Sequence, residues 1–277
     1  MSRAPRFPIT DDHIHLDPVN GIGISAAKEF QRAGGTHLFV VSKPSWSHGV
    51  EPSRGEDYRP VFEATLSMVR EVRELGLGAY AILGVHPAEI SRLSGRVPLS
   101  RAARVMQEGL SLAAEYVKQG GAVALKSGRP HYPVEPPVWD ASREVLRHAL
   151  SLAAECSCAV QIHAESGPCA DVVEMAQGAG MDPARVVKHF ATPDTPLMPS
   201  LIARHEMIPE LSRTGRAFTM ESDYMDEKSR PGAVIGPKSV PRFTLRHLER
   251  GAITEKDIWR IHAETPSRVY GVEIRLP

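Results

Sequence analysis

Only three cysteines, Cys156, Cys158 and Cys169, stand in the 277 residues. Their odd number, without a C-x-x-C or a repeated spacing, argues against a disulfide framework and against a thiolate zinc site, leaving buried free thiols. No sign of charge is in excess, since 33 Lys and Arg meet 33 Asp and Glu. A neutral chain does not hold nucleic acid or anionic membrane by bulk positive charge, so no stable nucleic-acid complex is expected and any basic site is local. No run approaches the ~18 apolar residues of a membrane span, and the opening MSRAPRFPITDDHIHLDP lacks the apolar stretch of a secretory leader. A cytoplasmic protein with no membrane partner is the expectation. Also missing are a G-x-S-x-G elbow, a P-loop, an internal repeat and a low-complexity linker. Gly21-Ile22-Gly23 with Ala26 loosely fits a dinucleotide fingerprint, but no acidic residue follows at the required distance.

What the chain does contain is an alternation. Hydrophobic residues make up 42% and charged residues 24%, which suits a folded globular protein. Runs of strand length, Phe7–His15, His37–Ser42, Gly78–His86, Ala122–Lys126, Ala159–Ala164 and Val186–Phe190, alternate with amphipathic stretches. Those stretches are Ser25–Ala33, Val61–Leu75, Arg101–Lys118, Val138–Ala154 and Cys169–Ala179, each with apolar residues at three- and four-residue spacing. The period weakens after the sixth strand. Leu197–Ala203 reads as a short seventh strand, His205–Leu211 as a short helix and Ala217–Asp223 as an eighth strand. Strand and helix in alternation predict α/β architecture with a parallel sheet. Eight such units predict one (β/α)8 TIM barrel over residues 1–277, distorted around strand seven. Helices at about 240–277 close it, and Tyr224–Pro241 is placed as a loop over the mouth.

Several strands end in a residue able to bind metal. His13 and His15 flank Ile14, and a spacing of two puts both rings on one face of a strand. His163 ends AVQIH, His189 ends RVVKH, and Asp223 closes AFTMESD. In a parallel barrel all strand C-termini open on one face, where these five side chains converge. Imidazoles and a carboxylate suit Zn²⁺, with Mn²⁺ or Mg²⁺ as alternatives. Lys126 holds the same place on strand four. An ammonium beside a divalent ion is repelled, so it either points away, replaces a second metal, or is N-carboxylated by CO₂ to an anion that bridges two ions.

This order, H-x-H, lysine on strand four, histidines on five and six and aspartate on eight, resembles the amidohydrolase superfamily of metal-dependent hydrolases. There the lysine of binuclear members is carboxylated and bridges the metals, and the aspartate contacts the bound water. GVHP (Gly84–Pro87), ESD (Glu221–Asp223) and ETPSRVYGV (Glu264–Val272) resemble the G-x-H-P, E-T-D and terminal N-x-x-R-x-F-G signatures of the TatD family of deoxyribonuclease-like hydrolases. That family usually has a glutamate on strand four; Lys126 within KSGRP departs from it toward the phosphotriesterase-like relatives, and weakens any transfer of nuclease activity.

The resemblance implies a hydrolase that activates water at one or two divalent ions. His13, His15 and Asp223 would hold one ion, His163 and His189 the other, with Lys126 as the bridge. Asp223 would be ligand and general base together, or ligand alone. Glu221, two residues before it on the strand, would hydrogen-bond a ligand histidine. His86, Arg129, His131 and Arg230 are candidates for substrate contact, with Lys43, Lys228 and Lys238 adding charge near the mouth. They suit a small-molecule or nucleotide-type anionic substrate, a phosphoester first, an amide or lactone second. A catalytically silent metal-binding scaffold and a homo-oligomer stay open.

Overall fold

The computed structural model describes residues 5–229 and 234–276. Among the described residues nine strands form one all-parallel sheet: β1 Thr10–His15, β2 His37–Val41, β3 Gly78–Gly84, β4 Ala124–Gly128, β5 Ala159–His163, β6 Val186–Lys188, β7 Met198–Ile202, β8 Thr219–Glu221 and β9 Tyr224–Met225. Hydrogen bonding follows chain order from β1 to β8, and β9 pairs with β1. β8 and β9 are two halves of one strand, broken at Ser222–Asp223. Its first half pairs with β7 and its second half with β1, so the sheet closes into the eight-fold ring of a TIM barrel. At the break Asp223 N–H donates to His13 O at 3.0 Å.

Helices α1 Ile24–Arg32, α2 Arg59–Glu74, α3 Glu89–Ser94, α4 Leu99–Lys118, α5 Pro136–Glu155, α6 Asp171–Gly178 and α7 Ile208–Thr214 lie between strands. α8 Ser239–Glu249, α9 Glu255–Trp259 and α10 Thr265–Tyr270 follow the last strand. The seventh unit is the irregular one: β6 runs to β7 through residues 189–197 with no helix between them. Two local readings change. α3 was not legible in the sequence, because six residues are too few for a period to emerge. The segment placed as a loop from Tyr224 starts as strand β9, since Tyr224 and Met225 find open ladder positions on β1. None of the helices among the described residues is long and apolar enough to cross a membrane.

Alternation sorts the strand residues into two layers. Outward residues such as Leu38, Val40, Leu83, Leu125 and Val160 pack with Phe30, Phe62, Leu110 and Leu146 of the helices. Inward residues Phe39, Val41, Ile82, Ala124, Ala159 and Val187 form a floor with Val269, Tyr270 and Ile274 of the C-terminal segment. Alanines from β4 and β5 leave the space that the Phe39 and Tyr270 rings, 4.4 Å apart, occupy. Above this floor the barrel interior turns polar.

Candidate active site

β1 carries an irregularity that aims its side chains. Asp11 pairs with Leu38 but Ile14 with Val40, so three steps on β1 match two on β2. A bulge of this kind re-aims side chains. It brings the Asp12 carboxylate inside the barrel beside the inward His13: Thr219 Oγ1 donates to Asp12 Oδ2 at 2.9 Å and Tyr270 Oη at 3.1 Å.

Proton positions on the two β1 histidines follow from their neighbours. His13 Nδ1 lies 2.8 Å from Gln161 Oε1 and His15 Nδ1 2.8 Å from the Val41 carbonyl. Gln161 is oriented in turn, because its Nε2 donates to Asp12 O at 2.7 Å. Both partner oxygens can only accept, so each Nδ1 carries the proton and each Nε2 keeps a lone pair. The two Nε2 atoms face one another at 3.2 Å. Asp223 Oδ1 stands opposite, 3.8 Å from His13 Nε2 and 4.0 Å from His15 Nε2.

The second pair of rings is held in a similar way. Glu221 Oε1 accepts from Phe190 N–H at 2.8 Å and lies 3.2 Å from His189 Nδ1. His189 Nε2 then faces His163 Nδ1 at 2.7 Å, and His13 and His189 stack with centroids 4.1 Å apart. Ligand atoms of His13, His189 and Asp223 all lie within 4.8 Å of one another. His163 Nε2 meets His131 Nδ1, on the exposed rim, at 2.6 Å.

Lys126 reaches the same cavity from β4. Its Nζ is buried and has no hydrogen-bond partner among the described residues. Burial lowers its pKa to about 7, against the pull of Asp223 and Glu221. Burial, together with the Lys126 charge, puts His13 and His189 well below the ordinary histidine range and His15 at about 3, so these rings are neutral and able to ligate. Asp223 is raised to about 6 by burial, with Lys126 opposing. Its φ of 46° is left-handed, a conformation costing a non-glycine residue of order 1 kcal/mol or more and concentrated at functional sites.

A cavity of about 210 Å³ joins these groups: His13, His15, His86, Lys126, His131, His163, His189 and Asp223, with Met225 and Val234. His86 Nδ1 accepts from Ala88 N–H at 3.2 Å, so its proton is on Nε2 and the ring is a donor. Other expected contacts are not brought here. Arg129, itself buried, is turned outward into a double ion pair with partly exposed carboxylates, Nη1 to Asp171 Oδ2 at 2.6 Å and Nε to Glu165 Oε2 at 2.8 Å, with its guanidinium over Trp139. Two carboxylates within reach outcompete the open cavity for its donors. Lys43 is likewise bound to Asp17 at 2.8 Å and to Asp226 O at 3.0 Å, and Lys238 pairs with Glu29 at 3.0 Å. Arg230 lies outside the described residues. Sequence reasoning missed Asp12, Gln161 and Tyr270. The signal available for Gln161 was its place two residues before His163 in an otherwise apolar strand.

The family model described as TatD related DNase matches residues 10–271. The chain belongs to the TatD family. An uncharacterized protein of Methanocaldococcus jannaschii is 33% identical over the full length of both chains. Among solved structures, the TatD homolog YjjV of Escherichia coli superposes with a TM-score of 0.65 at 16% identity, covering 95% of this chain and 98% of that one. The organophosphorus hydrolase of Deinococcus radiodurans gives 0.60 at 15% identity, covering 98% and 94%. At such identities these two likenesses speak for the barrel, while membership of the TatD family makes this chain a hydrolase of metal-dependent type.

Proposed function

We propose that this TatD-family protein hydrolyses a small phosphoester at a pair of divalent ions, with Asp223 as general base. The observation that carries the reading is the pair of Nε2 lone pairs facing at 3.2 Å, opposite the Asp223 carboxylate and beside an unpartnered Lys126. Two lone pairs at that separation repel, and a cation between them and a carboxylate turns the repulsion into ligation. The residues therefore fit the group that the family implies. His13, His15 and Asp223 would hold one ion and His163 and His189 a second, Zn²⁺ matching the donor set best.

Lys126 would supply an anionic ligand to the ions in this reading. Near neutral pH a large share of its amine is uncharged; nitrogen adds to CO₂, one N–H proton leaves, and a carbamate anion results. Bound divalent ions supply Lewis-acid charge that lowers the pKa of water toward ~7 and polarises the substrate. Asp223, kept from solvent and raised toward neutrality, accepts the proton of the attacking water. His86 presents Nε2–H to a substrate oxygen.

The cavity volume favours a compact ester over a nucleic acid strand. Hydrolysis of a lactone or amide is a second reading. One observation favours it: among the described residues no arginine lines the cavity, and Lys43 and Arg129 are spent on internal ion pairs, so a neutral substrate fits as well.

The test is a screen of phosphodiesters, phosphomonoesters, lactones and amides with Zn²⁺ or Mn²⁺, alongside metal analysis and intact-mass measurement. Two ions per chain, a carboxylated Lys126 and turnover of phosphoesters are the expected results. Turnover confined to lactones or amides would select the second reading, and ion binding without any turnover would make the protein a scaffold.

A further inference from the structure

We propose that His131 is a positioning residue for the His163 ring, fixing the tautomer on which the affinity of the His163–His189 ion site depends. The inference rests on the reading above that these two rings share an ion, and it takes His131 out of the role of substrate contact.

His163 has a nitrogen at each end of a crowded row. Nδ1 faces His189 Nε2 at 2.7 Å, and Nε2 faces His131 Nδ1 at 2.6 Å. His189 is already committed, because the carboxylate of Glu221 beside its Nδ1 leaves Nε2 as the ligating atom. For His163 to share an ion with it, Nδ1 must carry a lone pair, and a neutral imidazole then has its only proton on Nε2. That proton needs an acceptor, and the atom in place is His131 Nδ1. With Nδ1 accepting, the proton of the His131 ring sits on its own Nε2.

The loop carrying His131 is built to hold it there. On one side Arg129 N–H donates to His163 O at 2.9 Å, while the Arg129 side chain is locked by Glu165 and Asp171. On the other side Tyr132 Oη bonds Ser91 Oγ at 3.0 Å, tying the loop to α3. His131 itself is exposed, so burial does not account for its position. Both flanks are anchored, and the anchored geometry delivers a ring nitrogen onto His163. Partners that orient a ligating histidine typically set metal affinity by about 10–100-fold.

The test uses the full chain and Zn²⁺ titrated against a competing chelator, which reads affinity without turnover. Asn places an amide oxygen where His131 has Nδ1; Gln places its amide one carbon further out, and Ala has no acceptor. His131→Ala and His131→Gln are expected to weaken the second Zn²⁺ by about 10–100-fold, leaving the first unchanged, and His131→Asn to restore it to within a few fold. In the Zn²⁺-loaded wild type, nitrogen NMR should show His163 as the Nε2–H tautomer. A His131→Ala protein that binds both ions like the wild type overturns the inference, as does a His131→Asn protein no better than His131→Ala. A wild type that binds no second ion overturns the shared-ion reading instead.

Discussion

Asp223 illustrates how one residue combines several constraints. It sits in the break between the two halves of a strand, at φ 46°, and its backbone N–H closes the barrel onto His13 O while its carboxylate faces both β1 histidines. Replacing it with asparagine keeps the shape and the tolerance for left-handed backbone, since Asn visits that region readily. Asp223→Asn should keep the thermal midpoint within a few degrees while lowering kcat by about 10²–10⁴-fold. Thermal denaturation and steady-state rates on the best substrate of the screen check this, and retained activity would remove the general-base assignment. Lys126 makes the opposite case. Its buried amine, unpartnered among the described residues, is a cost to the metal-free fold. Lys126→Met should therefore raise the thermal midpoint of metal-free protein and reduce bound ions from two to one, both measurable without a substrate.

At the scale of elements, the loops above the barrel are held by buried acids that look functional but act structurally. Glu89, at the start of α3, accepts from Ser45 N–H at 2.7 Å and Ser45 Oγ at 2.9 Å, fixing the segment whose Trp46 packs against His86. Burial raises its pKa to about 7, and the backbone and side chain of Ser45 and the charge of Arg92 only partly oppose this; Tyr58 Oη, buried and unpartnered, stands near it. A folded pKa of about 7 above an unfolded value of 4.5 means that the native state binds more protons between those values, so Glu89 costs stability as pH rises from 4.5 to 7. Glu89→Gln should match the wild type near pH 4.5 and exceed it near pH 8. Urea unfolding at the two pH values checks the sign, and a difference independent of pH would refute the argument.

The same elements show what was legible in the sequence. His163 and His189 could be found because a polar ring at the end of an apolar run is conspicuous, and His13 and His15 because two rings spaced by two share one strand face; a parallel barrel sends all such strand ends to one face. Arg129 and Lys43 could not be placed, because their partners Glu165, Asp171, Asp17 and Asp226 become neighbours only through loop conformations with no periodic signature. The bulge in β1 was equally hidden: nothing in TDDHIH marks an extra residue, which appears only against β2.

Across the whole molecule, the two ends of the chain meet beneath the site. The family signature ends in R-x-F-G, and here Tyr270 takes the aromatic place. Its ring packs on Phe39 in the barrel floor, while its hydroxyl bonds Asp12 Oδ2 at 3.1 Å and accepts from Gln161 Nε2 at 2.7 Å. Gln161 Oε1 accepts the hydrogen bond from His13 Nδ1–H. A residue 258 positions from Asp12 in sequence thus helps to orient the His13 ring. The hydroxyl and the ring make separable contributions. Tyr270→Phe keeps the packing and removes one bond each from Asp12 and Gln161, a loss of about 1–3 kcal/mol for buried polar groups left short of a partner. Tyr270→Ala also opens the floor, at about 3–5 kcal/mol. Because Gln161 keeps its bond to the Asp12 carbonyl in Tyr270→Phe, the His13 ring loses only part of its support, and Zn²⁺ affinity at the His13–His15 pair should fall less than the 10–100-fold typical of losing a ligand's direct partner. Gln161→Leu removes that direct partner and should produce the full drop. Zn²⁺ titration of both variants orders the contributions; equal affinity in Gln161→Leu and wild type would show that the floor supports the fold alone.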